Sequence, residues 1–162
     1  MNEFQPLIDE HKDIYDVISK FKAALESTNK YEVMDELKNF KDMLDRVLDS
    51  HFAVEEEILL KKLEGKISNE PNLVKNILNE HKDMYEKKIL LDELYEKYEA
   101  KHTDIGYEAL IQLAGDLADV LYNHAYVEDM TIFAFAGIIL TDEEKLVVAK
   151  ELAKINKNIK NK

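Results

Sequence analysis

Four of the five histidines in this 162-residue chain sit in a pattern that occurs twice. The stretch "EHKDIY" at 10–15 returns as "EHKDMY" at 80–85, and "HFAVEEEIL" from His51 is matched by "HAYVEDMTI" from His124. Each copy offers a lone histidine, His11 or His81, and then a His-x-x-x-Glu pair, His51 with Glu55 or His124 with Glu128. Residues four apart on a helix share a face, so each pair would aim its two side chains the same way. Those faces are otherwise apolar. His11 shares its stripe with Ile8, Tyr15 and Ile18. His51 and Glu55 follow Leu44, Val47 and Leu48 and precede Ile58 or Leu59. His81 and Tyr85 follow Val74, Ile77 and Leu78. His124 and Glu128 follow Leu113, Leu117, Val120 and Leu121 and precede Ile132 and Phe135.

An isolated carboxylate in an apolar interior costs several kcal/mol unless something neutralises it. No Lys or Arg lies on these stripes near the histidines. A metal ion would serve, and imidazole with carboxylate suits iron, manganese or zinc. Two histidines per metal, with Glu55 and Glu128 bridging, uses the whole inventory, and paired metals about 3.5 Å apart are a common arrangement. The rival reading is a purely structural bundle, which would need both carboxylates protonated or paired with imidazolium. With no cysteine in the chain there is no thiolate site, disulfide or cysteine nucleophile.

The neighbouring polar residues carry weaker expectations. Tyr15 and Tyr85 are read as core packing, with a hydrogen bond to the ligand shell as the alternative. Glu56, Glu57 and Asp129 fall off the core stripe by the helical angle and are expected in solvent. Glu10, Asp13, Glu80 and Asp83 flank the lone histidines as surface charges, one of which could hold an imidazole N–H from a neighbouring helix. His102, in the polar "AKHTD" break, is expected to be exposed and without a role.

Helices must position these groups. Apolar residues recur at three- and four-residue intervals along nearly the whole chain, with only four glycines and two prolines to interrupt them. The spacing predicts helices over 4–27, 31–64, 71–100 and 104–136, hence an all-α, antiparallel up-down-up-down four-helix bundle. An additional C-terminal helix at about 142–157 starts at "TDEE", where Thr141 and Glu144 have capping-box spacing. Its stripe would be Leu146, Val148 or Ala149, Leu152 and Ile155, and the tail "NKNIKNK" is expected to fray. The "IFAFA" stretch would cover one bundle end, and residues 1–162 form a single domain. A net charge of −12 argues against nucleic acid and anionic membrane as partners. The start lacks the regions of a signal peptide, and "MTIFAFAGIIL" is too short to span a bilayer. The expected compartment is the cytoplasm.

The order His, His-x-x-x-Glu, His, His-x-x-x-Glu along a helical bundle resembles the hemerythrin-like (HHE cation-binding) domain over about the first 135 residues. The resemblance implies two iron ions, one held by His11 and His51, the other by His81 and His124. Glu55, Glu128 and an oxo or hydroxo group would bridge them; manganese or zinc is the lesser expectation. The oxygen-carrying members have a further histidine on the third helix, where this chain has Ile77 and Tyr85 four positions to either side of His81. They also use an aspartate one position beyond the place of Glu128. The resemblance therefore implies a symmetric, non-haem di-iron centre with an open position on each iron for dioxygen, peroxide or nitric oxide. The alternative is iron sensing, storage or delivery through the same residues, including iron–sulfur cluster repair, although repair proteins of this type carry a cysteine-bearing N-terminal segment. The acidic surface could accept a basic protein partner, and no residue identifies one or an electron donor.

Overall fold

The computed structural model describes residues 2–160, with side chains as far as Lys154. Helix α1 (Gln5–Ala24) places Pro6 in its first turn, where a missing N–H breaks no helical bond. It buries Leu7, His11, Ile14, Ile18 and Phe21 along one stripe. Helix α2 covers 30–63 and is capped by Asn29, whose side chain accepts from the Tyr31 N–H. Two π-helical turns interrupt it, Val47–His51 and Glu55–Leu60. Such turns are frequent at functional sites, and here one ends on His51 and the other begins on Glu55. Helix α3 (Leu73–Ala100) follows a turn around Gly65, whose φ of 74° is a left-handed value that a side chain would strain. Helix α4 (Asp104–Met130) is capped by Thr103, whose hydroxyl accepts from the Gly106 N–H. Helices α5 (Ile132–Ile139) and α6 (Asp142–Lys160) complete the described residues, which contain no strand.

The fourth helix is shorter than the periodicity predicts. It stops at Met130, and Thr131 (φ −124°, ψ −67°) turns the chain into α5. The Thr131 hydroxyl donates to the Val127 carbonyl at 2.6 Å, beside the backbone N–H of Thr131 at 2.9 Å. No glycine or proline marks this break. In α6, the Glu144 N–H donates to Thr141 Oγ1 and the Thr141 N–H donates to Glu144 Oε2, so the expected capping box forms. Val148 and Leu152 are buried, whereas Leu146, expected inside, is 54% exposed. Ile155 and the last two tail residues lie outside what is described for side chains or backbone, and the helix itself runs to Lys160 through most of the stretch expected to fray.

Helix α1 packs on α2 and α4, and α3 packs on α4. Lys88 ties α3 to α2, with its ammonium at 2.6 Å from both Asp45 and Asp92. The apolar interior falls into two groups. One contains Ile14, Ile18, Phe21, Phe40, Leu44, Phe52, Met84, Leu91, Leu117 and Leu121. The other contains Phe4, Leu7, Leu59, Leu63, Ile77, Ile132, Phe133, Val148 and Leu152. On every long helix the buried histidine lies where the chain passes from one group to the other. No helix among the described residues is long and apolar enough to cross a membrane.

Candidate metal centre

Between those two apolar groups lies one buried polar layer: His11, His51, Glu55, His81, His124 and Glu128, each at most 4% exposed. The structure brings all six together. His11 Nε2 and His51 Nε2 lie 3.0 Å apart, as do His81 Nε2 and His124 Nε2. Glu55 reaches both pairs: Oε1 is 2.9 Å from His51 and 3.5 Å from His11, while Oε2 is 3.3 Å from His81. Glu128 mirrors it, with Oε1 at 2.9 Å from His124 and 3.7 Å from His81, and Oε2 at 3.3 Å from His11.

The outward nitrogen of every imidazole is held by a carboxylate. His11 Nδ1 donates to Asp129 at 2.8 Å, and His81 Nδ1 donates to Glu56 at 2.8 Å. His51 Nδ1 donates to Glu10, and His124 Nδ1 donates to Glu80 at 2.5 Å. Carboxylates only accept, so all four Nδ1 atoms carry protons and all four Nε2 lone pairs point inward. Each lone histidine is thus anchored by the residue after the carboxylate of the other repeat. Each histidine of a His-x-x-x-Glu pair is anchored by the residue before the lone histidine of its own repeat.

Glu10 and Glu80 do what was foreseen for one flanking acid. Glu56 and Asp129, expected in solvent, do not stay there. A helical wheel assigns them to the outer face of their own helix, but the neighbouring helix brings an imidazole N–H alongside. The signal was present in the repeat, since an acid follows the core glutamate in both copies (Glu55-Glu56 and Glu128-Asp129). Tyr15 likewise follows the alternative expectation, its hydroxyl donating to Asp129 Oδ2 at 2.6 Å, while the Tyr85 hydroxyl donates to the Leu48 carbonyl at 2.6 Å. Leu78, placed on the core stripe by periodicity, is 40% exposed. Glu57, Asp13 and Asp83 are exposed as expected, and so is His102, whose ring stacks on Tyr98. Phe133 of α5 sits 5.3 Å from His11 and stacks on Phe4, so the "IFAFA" stretch does cover this end of the layer.

The inward face of the layer has acceptors and no fixed donors. Both oxygens of Glu55 and Oε2 of Glu128 are buried and accept no hydrogen bond from a backbone or hydroxyl group. Lone pairs facing each other across 3.0 Å repel unless a proton or a cation lies between them. When protons fill that role, burial pushes the imidazoles down, but the surrounding carboxylates push them further up: His11 to about 11, His124 to about 10, His51 and His81 to about 9. Burial raises Glu55 and Glu128, and the imidazoles outweigh it, bringing both below the usual range. A metal ion could take the same place. Two groups of four ligand atoms are in reach of a cation, His11, His51, Glu55 and Glu128, and Glu55, His81, His124 and Glu128. Both carboxylates belong to both groups.

A helical bundle whose core converges imidazole lone pairs and carboxylates is a cation-binding fold. The chain belongs to the hemerythrin HHE cation binding domain family, whose model matches residues 4–136. No curated protein matches the sequence.

The outer carboxylates should matter to metal affinity. Glu56→Gln and Asp129→Asn should each weaken binding about 10–100-fold by loosening the imidazole they orient. Glu57→Gln, one position further along and exposed, should leave it unchanged. A chelator-competition titration measures the difference.

The pH dependence of the metal-free protein has a definite sign. Its raised imidazoles contribute stability that is complete below their free value of 6.5 and is lost as pH rises through about 9 to 11. Its lowered carboxyls contribute above 4.5 and lose that contribution as pH falls. Metal needs the same Nε2 lone pairs, so binding releases protons and tightens as pH rises. Above pH 6.5, urea midpoints of chelated protein should fall with pH while the metal-induced gain in midpoint grows.

Proposed function

We propose that this protein holds two iron ions in its core and binds or reacts with dioxygen, peroxide or nitric oxide there. The observation that carries the reading is that Glu55 and Glu128 each span both histidine pairs. In this reading His11 and His51 would hold one iron, His81 and His124 would hold the other, and Glu55 and Glu128 would be shared between them. The iron pair supplies the redox chemistry and the position at which the small molecule binds.

Every other part is played by the chain. Glu10, Glu56, Glu80 and Asp129 fix the tautomer and orientation of the four imidazoles, so that the ligand set is pre-arranged. Phe52 lies flat on His81 at 3.8 Å, and Phe133 closes on His11, which keeps bulk water off the layer. The four long helices in this reading run up-down-up-down as one domain with α5 and α6. In support, α1 and α3 enter through the Phe4 and Ile77 group and leave through the Ile18 and Leu91 group, whereas α2 and α4 run the opposite way.

The test is elemental analysis of protein expressed with ample iron and purified without chelator. Two irons per chain, with absorption bands that respond to oxygen or nitric oxide, are expected. One metal, or zinc or manganese in place of iron, would remove the oxygen chemistry and keep the site. Two irons with no spectral response, together with a large iron-dependent change in helix stability, would favour sensing or delivery. No metal after reconstitution would sink the proposal.

A further inference from the structure

The two repeats place their tyrosines in different environments. The residue after His51 is Phe52, whereas the residue after His124 is Ala125, and both are 1% exposed. Phe52 fills the space beside His81, so Tyr85 stands edge-on to it at 6.1 Å, is 36% exposed, and bonds only to a backbone carbonyl. Ala125 offers no ring at the corresponding place in the other repeat. Tyr15 touches the Tyr122 ring at 4.9 Å with its own ring and Asp129 at 2.6 Å with its hydroxyl. Tyr122 is 42% exposed. An unbroken series therefore runs from solvent to the polar layer: Tyr122, Tyr15, Asp129, His11. At the positions of Tyr122 and Asp129, the other repeat has Asp49 and Glu56, and Tyr85 reaches neither of them by a hydrogen bond.

A phenol that gives up an electron becomes strongly acidic and must give up its proton with it. It therefore needs a proton acceptor already in hydrogen-bond contact. Asp129 is such an acceptor, and the Leu48 carbonyl beside Tyr85 is not. We propose that Tyr15 is a one-electron relay between the surface and the metal pair, an inference that rests on the di-iron reading above. Tyr15 passes one electron to a metal pair that peroxide has oxidised and its phenolic proton to Asp129 Oδ2, leaving a neutral tyrosyl radical. A one-electron reductant in solution, acting through Tyr122, returns the electron, and Asp129 returns the proton.

The experiment is electron paramagnetic resonance on iron-loaded protein, frozen at intervals after one equivalent of hydrogen peroxide, with iron counted on the same samples. Wild type and Tyr85→Phe should give an organic-radical signal, and Tyr15→Phe with the same iron content should lack it. Tyr122→Leu should give the signal but lengthen its decay several-fold in the presence of ascorbate, because the outer end of the series is removed. A radical of undiminished yield in Tyr15→Phe would overturn the relay, and so would an iron-loaded wild type that forms no radical. Samples without iron would instead overturn the di-iron reading on which the relay depends.

Discussion

Glu55→Ala should empty the metal centre in one step, taking bound metal, on the proposed two-iron reading, from two per chain to below one. Glu55 faces His51 and His11 through one oxygen and His81 through the other, so its loss removes a ligand from both positions. With metal present at about 100 times its dissociation constant, a bound ion stabilises the fold by about 2.7 kcal/mol, and this increment should vanish. The metal-free variant should lose stability against metal-free wild type at about pH 8, where Glu55 still helps to hold the imidazoles protonated, but by less than a broken buried ion pair ordinarily costs. Removing one partner from a buried charge cluster ordinarily costs about 3–5 kcal/mol, because the charge left behind has no counterpart. Here the imidazoles can release their protons, and Glu128, pushed upward by burial and then by the Glu55 charge, is relieved of that neighbour. Metal counting and urea melts with and without chelator measure both halves. Two tightly held metals in the variant would show the site to be wrongly assigned, and a loss of several kcal/mol without metal would show Glu55 to be a structural residue.

Phe52→Ala should have the largest effect on stability, a loss of about 3–5 kcal/mol, of the size found when a buried aromatic is cut to alanine. Phe52 is 1% exposed, and its ring lies parallel to His81 at 3.8 Å with His124 edge-on at 5.4 Å. The site has little freedom to collapse, because the surrounding imidazoles are tethered through their outer nitrogens to Glu56 and Glu80. Phe52→Leu keeps most of the volume and should cost much less. Urea denaturation of the chelated proteins separates this packing term from metal binding. Equal losses for the two substitutions would mean that the ring contact with His81, rather than filled volume, is what stabilises the layer.

The six inward residues were legible in the sequence because a helix converts i and i+4 spacing directly into a shared face, and because the repeat supplied the pattern twice. The carboxylates around them were half legible. Glu10 and Glu80 stand beside the repeated histidines, but which helix they reach depends on how neighbouring helices dock. Glu56 and Asp129 were misread for the same reason, since a single-helix wheel cannot see an imidazole arriving from the next helix. The end of α4 was hidden because no glycine or proline stands at Thr131 to mark it. Local pattern also could not reveal the π-helical turns flanking Phe52, which alter the direction of side chains without altering the apolar spacing.

The hydrogen bond from His11 to Asp129 joins residues 118 positions apart. During synthesis the chain emerges from its N-terminus at about 5–20 residues per second. His11, His51 and Glu55 are therefore available several seconds before their partners, and the carboxylate that orients His11 is nearly the last element of the layer to appear. A chain that ends before α4 would lack His124 and Glu128, leaving both ligand groups incomplete, and His11 would be without its outer carboxylate. The order in which the ribosome delivers these residues thus postpones completion of either ligand group until almost the whole bundle exists.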